Sequence, residues 1–399
     1  MMLSEQEAVT RILERARLLA ITEHVDIRQA NGRVCAGDIV ADSDVPNTDN
    51  SAMDGYACAS NDISAGSSLP ISQRVAAGDS PSPLAAHTIA RIFTGATLPP
   101  GADCVVPQEQ CDATDTGIVF KGTARRGQHV RLRGEDIAQG DTVLRRGDLI
   151  GPAQIGLLAA LGLRELAVYR PLRIALLSTG DELHEPGTPL LPGQRYNTNQ
   201  YAIAAAAERL GFSVSYSSLV SDNVDDTCQA LLRAQATADV IISTGGVSVG
   251  EEDHVKTALK TLGDIYLWKI AIKPGKPLVF GDVRGTPFIG LPGNPVSAMV
   301  TFLLIARPFL LLCQGRRQQQ AAVFQVKAEF SWQTQLRCEY LRGRLHNRDG
   351  HTCVQLYPSQ DSGIQSSLSN SDGLVRIEQQ TTVNKGDWVD FIPYASLYY

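Results

Sequence analysis

The spacing of apolar positions changes several times along this chain, and each change marks a different kind of element. Val9, Ile12, Leu13 and Ala16 recur at three- and four-residue steps, which places them on one face of a helix. Ser4 precedes that face as an N-cap and Glu7 completes a capping box, so the acidic amphipathic stretch from Met1 to Ala20 is predicted to be helical. From Arg33 to Ile150 the pattern shortens to β-branched runs divided by glycine, proline and aspartate: 105–107, 117–121, 130–133 and 142–145. These predict short strands. Pro152 to Leu163 returns to helical spacing, with proline near the first turn and Ile155, Leu157, Leu158 and Leu161 along it. Neither helix is long enough to be a domain alone. The two are therefore predicted to pack together as a discontinuous helical linking domain, 1–40 with 140–170, with a β-rich insert over 41–139.

Between 171 and 318 buried-type strands (173–178, 214–220, 239–243) alternate with helices (200–210, 224–236, 254–262), and Gly211 and Gly263 follow two of the helices. Apolar strands joined through helices predict an α/β domain with a parallel sheet covered on both faces. Met299 to Cys313 is the most apolar stretch, but it is short and contains Arg307-Pro308, so it is predicted to be a buried helix and not a membrane span. Beyond Gln320 strands return at 374–378 and 388–392, and Asn347-Arg348-Asp349-Gly350 reads as a hairpin turn. That predicts a β-barrel-like domain over 319–399. The fold class is α/β, multidomain.

Composition narrows the function classes. With 43% hydrophobic and 20% charged residues over 399 positions the chain is globular and long enough for several domains. Thirty-six basic against 42 acidic residues leave a net charge of −6, which gives no general attraction to nucleic acid or an anionic membrane. Any bound anion must meet a local basic site. The eight cysteines form no C-x-x-C pair and the histidines no H-x-x-x-H spacing, which argues against structural zinc and a thioredoxin-like centre. The amino terminus has no secretory pattern, so a reducing cytoplasm is expected.

Two loops after predicted strands echo each other, 178–182 (S-T-G-D-E) and 243–253 (S-T-G-G-V-S-V-G-E-E-D). In a doubly wound sheet ligands bind at the carboxyl ends of strands, where Thr179, Gly180, Gly245, Gly246, Ser248 and Gly250 would let backbone amides approach an anion. Glu182, Asp222 and Asp253 stand at three such ends and form a candidate set of hard oxygen ligands for a divalent cation. The alternative is local: Asp253 capping a helix and Asp222 turning the chain. In the segment 268–277 Lys269 and Lys273 share a face of an extended chain and a Pro-Gly turn brings Lys276 beside them, a cationic pocket in an acidic protein. Pro292, Gly293, Asn294 and Pro295 end a strand and open a helix, with Asn294 as N-cap, an arrangement that favours an oxyanion. Polar clusters at 49–57, 94–96 and 131–136 combine carboxylates, hydroxyls and glycines beyond what turns require, but local chemistry alone assigns them no role and exposed turns are the default reading.

The strings N-S-A-M-D-G-Y-A (50–57), T-G-A (94–96), R-G-E-D (133–136), S-T-G-D-E-L (178–183), G-G-V-S-V-G-E-x-D (245–253), K-P-G-K-P (273–277) and G-L-P-G-N-P-V-S-A (290–298) closely resemble the MoeA family. These are molybdopterin molybdenumtransferases, related to the C-terminal domain of gephyrin. The resemblance implies insertion of molybdate into adenylylated molybdopterin, with Mg²⁺ or another divalent cation assisting cleavage of the phosphoanhydride and release of AMP. It implies roles for Asp54, Thr94 and Asp136 in an inserted lid, for Glu182, Asp222 and Asp253 at the metal, and for Lys269, Lys273, Lys276, Pro292 and Pro295 in the pocket. Arg342 and Ser366 or Ser367 are the counterparts of the C-terminal contribution to the molybdate pocket, and Asn197 stands where some relatives carry aspartate or serine. The family also implies a homodimer with its active site completed across subunits, and transient contact with molybdopterin adenylyltransferase and molybdoenzyme maturation proteins. Alternatives are the preceding step, molybdopterin adenylyltransferase, which shares the α/β domain, a gephyrin-like scaffold, and a competence-type nucleotide pyrophosphatase.

Overall fold

The computed structural model describes residues 3–247 and 254–398. The α/β unit is built on a six-stranded sheet in the order Ser213–Val220, Arg173–Thr179, Val240–Thr244, Thr286–Leu291, Val279–Val283, Ile265–Trp268. The first four strands are parallel, and Val279–Val283 runs antiparallel to both its neighbours, so Ile265–Trp268 points the same way as the first four. The expected parallel pairing thus holds across four strands and is broken by one reversed strand. The reversal has a local cause: Arg284 and Gly285 both have positive φ (48° and 84°), the signature of a two-residue hairpin turn, so no crossover helix separates 279–283 from 286–291.

Both faces of the sheet are covered, as the apolar strands require. Along Arg173–Thr179, Ile174 and Leu176 enter one core while Ala175 and Leu177 enter the other. The helix Thr198–Arg209 packs on the first face through Ile203 and Ala206; Val224–Thr237 and His254–Leu262 pack on the second through Leu231 and Leu259. The predicted buried helix is longer than its apolar core suggested, running Pro295–Cys313 over 19 residues. A π-helical turn at Phe302–Ala306 precedes Arg307-Pro308, and this extra residue in the turn accommodates a proline inside a helix.

The amino-terminal expectations need correction. The helix spans only Glu5–Leu13, with the Ser4–Glu7 capping box as predicted. Past residue 14 the chain leaves helical geometry because Leu19 N–H finds a partner in the Cys313 carbonyl at 2.9 Å, at the end of the buried helix. Nor do the two short helices share a core: Ala8 and Ile12 join the α/β core, whereas Leu158 of Pro152–Ala160 packs with Cys35, Leu144, Ile150, Leu166 and Val168. The segment between them is sheet as well as helix, since Thr22–Asp26 and Val34–Cys35 flank Glu165–Tyr169 in an antiparallel ladder.

The insert holds a four-stranded sheet ordered Ile71–Val75, Ile89–Ile92, Gly55–Cys58, Cys104–Pro107, whose alternate residues feed separate cores, Ala57 and Val105 on one side, Cys58 and Cys104 on the other. In the carboxyl-terminal region Cys338–Arg348, His351–Leu356, Phe324–Ala328, Trp388–Pro393 and Gly373–Ile377 pair in a ring that closes back on Cys338–Arg348. This is a closed β-barrel around Leu341, Val354, Val375 and Phe391. Its hairpin turns at Asp349-Gly350, as the sequence predicted. One strand from outside joins it: Ile272–Lys273 pairs in parallel with Cys338 and Glu339, tying the lysine segment to the barrel.

Candidate active site

At the carboxyl ends of Arg173–Thr179, Val240–Thr244 and Thr286–Leu291 lies a cleft of about 770 Å³. Thr179, Gly180, Glu182, Asp222, Gly245, Gly246 and the run 292–295 all line it, so most of the predicted strand-end residues are brought together. Ser248, Gly250 and Asp253 lie outside the described residues.

One wall is acidic. The loops carrying Asp181 and Asp222 clasp each other, with the Asp222 N–H donating to Asp181 Oδ1 at 3.0 Å and the Asp181 N–H to Asp222 Oδ2 at 3.3 Å. Partial burial is the main cause that raises the Asp222 carboxyl above the ordinary carboxylate range, and the charges of Asp181 and Glu182 add to it. Glu182 folds back over Gly180, where an added Cβ would meet its Oε2 at 2.6 Å. Among the described residues no ion pair reaches these three carboxylates, the His254 charge being a lesser offset at Asp222, and a hard divalent cation relieves such crowding, so the donor set fits Mg²⁺. Among the described residues the tightest trio of metal-type donors is elsewhere, Glu329, His346 and Cys353 on the barrel, within 4.8 Å of one another. There the Glu329 carboxylate is already engaged by Arg348 Nη1 and His346 Nε2, each at 2.9 Å, and the trio reads as an ion-pair network.

The opposite wall is made of backbone. Gly245 and Gly246 have φ of 87° and 62°, and a Cβ on Gly245 would stand 2.7 Å from the Thr179 carbonyl, so both conformation and closeness exclude other residues. The Thr179 hydroxyl is buried beside them, with no partner among the described residues. Asn294 occupies the N-cap position, but its side chain makes no cap bond; Nδ2 donates instead to Ser362 Oγ at 2.9 Å, while the Val296 N–H donates to the Ser362 carbonyl. The barrel's 359–363 loop has therefore taken one amide that the sequence assigned to an anion, and Gly363 joins the cleft lining.

The lysines sit differently from expectation. None of Lys269, Lys273 and Lys276 lines the cleft, which their segment reaches through Pro277. Lys269 has φ of 71° with its Nζ 4.5 Å from the centre of the Trp268 ring. Lys273 Nζ lies 3.2 and 3.3 Å from the two oxygens of buried Glu339, which also accepts from Trp332 Nε1 at 3.0 Å. Arg342 is fully buried: Nε donates to Ser367 Oγ and Nη2 to the Asp361 carbonyl, both at 3.1 Å, and burial lowers its proton affinity. It braces the loop that carries Ser362 and Gly363 and does not face the cleft. Ser366 is exposed, 3.2 Å from the Tyr357 hydroxyl, and does not line the cleft either.

The insert residues stay apart. Asp54 accepts from Thr94 N–H at 2.8 Å and from its hydroxyl at 2.7 Å, bonds that hold the carboxyl below its ordinary range. Asp136 is exposed, its N–H donating to the Val45 carbonyl. Among the described residues no side chain of 41–139 lines this cleft. Sequence reasoning missed Arg195, Tyr196, Asn199 and Gly363 as lining residues. The helix start at Asn197, which caps through the Gln200 N–H, was the available signal for the first three; Asn199 Nδ2 then grips the Gly293 carbonyl at 2.7 Å.

Comparison with known proteins places this geometry. Residues 3–162 match the model described as MoeA N-terminal region (domain I and II), 175–311 the "Probable molybdopterin binding domain", and 325–394 the MoeA C-terminal region (domain IV). A protein from Haemophilus influenzae named molybdopterin molybdenumtransferase is 38% identical over 402 residues, covering 99% of this chain and 100% of its own length. One from Mycobacterium tuberculosis, molybdopterin molybdenumtransferase 2, is 42% identical over 73% of this chain and 75% of its own. The solved structure of a molybdopterin biosynthesis MoeA protein from Pyrococcus horikoshii OT3 superimposes with a TM-score of 0.85 at 25% identity, covering 99% of this chain and 100% of that one.

Proposed function

This chain belongs to the MoeA family, and on that premise we propose that it is a molybdopterin molybdenumtransferase that inserts molybdenum from molybdate into adenylylated molybdopterin, releasing molybdenum cofactor and AMP. The observation that carries the reading is the two-walled cleft at three parallel strand ends, carboxylates on one side and glycine-opened backbone on the other. Glu182 and Asp222 would hold Mg²⁺ against the phosphoanhydride, with Asp253 as a third candidate, and the cation would offset charge on the departing phosphate. Gly246 presents its amide to the bound phosphates while the Gly245 N–H is held by the Leu291 carbonyl, the Thr179 hydroxyl donates to a phosphate oxygen, and the Asp181–Asp222 clasp keeps the acidic wall in place. Arg342 acts through the 359–363 loop, setting Gly363 against the helix start.

We further propose that 41–139 acts as a lid, that the working unit is a homodimer, and that the chain works in a reducing cytoplasm with transient hand-over partners. In support, the insert leaves its own cleft unlined, and all eight cysteines are free thiols. The decisive assay supplies adenylylated molybdopterin, Mg²⁺ and molybdate and follows AMP together with active cofactor. AMP released only when ATP and free molybdopterin are supplied would instead identify the preceding step.

The position of Lys273 sharpens one prediction. Lys273→Ala should weaken molybdate use far more than binding of the adenylylated pterin, with partial rescue at raised molybdate. It should also lower Tm, since Glu339 is left buried without its cation, at a cost of about 1–3 kcal/mol after allowing for the half-exposed lysine. Lys273→Met combined with Glu339→Gln is expected to restore Tm and leave molybdate use impaired. Molybdate dependence equal to wild type in both variants would reduce Lys273 to a structural ion pair.

A further inference from the structure

The buried helix Pro295–Cys313 begins at the cleft and ends, about 28 Å away at 1.5 Å per residue, in a second concavity. This one has a volume of about 490 Å³ and shares no lining residue with the first. Four of its lining residues are arginines, Arg17, Arg146, Arg316 and Arg317, and none of its lining residues is acidic. In a chain of net charge −6 such a concentration of uncompensated cation is a local device.

The surroundings account for only part of that charge. Arg317 Nη1 reaches Asp148 at 3.1 Å, with half its side chain in solvent. Arg146 Nε donates to the Tyr169 hydroxyl at 2.5 Å, and Arg17 Nη2 to the Gly285 carbonyl at 3.1 Å, both neutral acceptors. Arg316 is half-buried, and among the described residues no carboxylate lies within ion-pair distance of it. Burial alone depresses its proton affinity. The helix end does not serve as the missing counter-charge either. The carbonyls of Leu310, Leu311, Leu312 and Cys313 already accept the backbone N–H groups of Gln314, Arg316, Gly315 and Leu19. A half-buried guanidinium without a carboxylate partner has donors still open, and its planar fork matches phosphate geometry. The concavity is wide enough for more than a bare ion, and Gly315, packed against Tyr169 and Leu18, closes its floor.

We propose that this arginine concavity is a second, separate anion site, built for a phosphoryl dianion that takes the place of the absent carboxylate at Arg316. The shared chemistry is a phosphate group carrying two negative charges, from inorganic phosphate or from a mononucleotide. Arg316 supplies the half-buried donor fork, Arg17 and Arg146 close around the remaining oxygens, and Arg317 screens the rim.

The test uses the full chain at constant ionic strength and follows Tm against inorganic phosphate, AMP and, as controls, adenosine and potassium chloride. Wild type is expected to show a saturable rise with phosphate, and Arg316→Met to lose it, with affinity reduced at least about tenfold, as removal of a charge-assisted bond predicts. Arg316→Met should also leave the basal Tm unchanged or raise it, because a half-buried charge without a carboxylate partner is replaced by an apolar chain of similar length; a merely structural arginine would lower it. Arg17→Gln, in a more exposed position, should weaken phosphate without that gain. The rise must survive without Mg²⁺ and in Asp222→Asn, a variant of the first cleft's own lining, which separates the two sites. Saturation by AMP below the phosphate concentration identifies a nucleotide as the source, and equal saturation identifies the phosphate group alone. Absence of a saturable rise in wild type, or its persistence in Arg316→Met, overturns the proposal.

Discussion

Asp222→Asn and Glu182→Gln should each reduce metal-dependent AMP release at least about a hundredfold, a barrier increase of about 3 kcal/mol, while leaving Tm nearly unchanged. The structure explains why chemistry and stability separate here. Asp222 bonds Asp181 through backbone N–H groups of both loops, and the asparagine carbonyl can still accept the Asp181 N–H, so the clasp survives while the charge is lost. Removing one of three crowded carboxylates even relieves repulsion in the free protein, because burial and the neighbouring Asp181 and Glu182 charges already raise the Asp222 carboxyl. The measurement is AMP release at limiting Mg²⁺ beside a thermal melt. A variant that turned over at the wild-type rate would have no part in holding the cation, and one that melted early would have a structural role instead.

The second large effect is expected from mixing inactive chains. Asp54→Asn or Asp136→Asn, in the insert, and Asp222→Asn, in the cleft, should each be inactive alone, yet a heterodimer of the two should regain up to about one working site in two. Both defects then fall in one composite site and leave the other whole. The placement of Asp54 motivates this: it is fixed by two bonds from Thr94 within the insert, and the insert contributes no lining residue to the cleft of its own chain. Subunit exchange followed by AMP release decides it. Continued inactivity in verified heterodimers would mean that each chain builds its site alone.

Much of the cleft was legible before any coordinates, because its parts are local. A strand-end glycine loop needs only its own φ values, and the residues at 179–182, 245–246 and 292–295 are placed by the strands that precede them. What failed had a common cause. The helix start at Asn294 was read as an open anion site, but its amide partner arrives from residue 362 of the barrel, 66 positions away from Val296. Lys273 was read as a free cation, and its partner Glu339 is equally remote in sequence. Arg342 was read as a pocket residue and is instead sealed under the loop it supports.

The sequence by itself determined the elements, the alternation that builds a covered sheet, the closing hairpin at Asp349-Gly350 and the carboxylates and glycines at the strand ends, since each depends on periodicity or on the conformational range of a few adjacent residues. Only the tertiary structure decided where the first helix ends, which core receives it, which strands run antiparallel, and which charged groups are already paired. Those outcomes depend on the partner a backbone or side-chain group meets across tens to hundreds of residues, as Lys273 meets Glu339 and Leu19 meets Cys313, and a polar group leaves water only when that distant partner replaces the bonds it gives up.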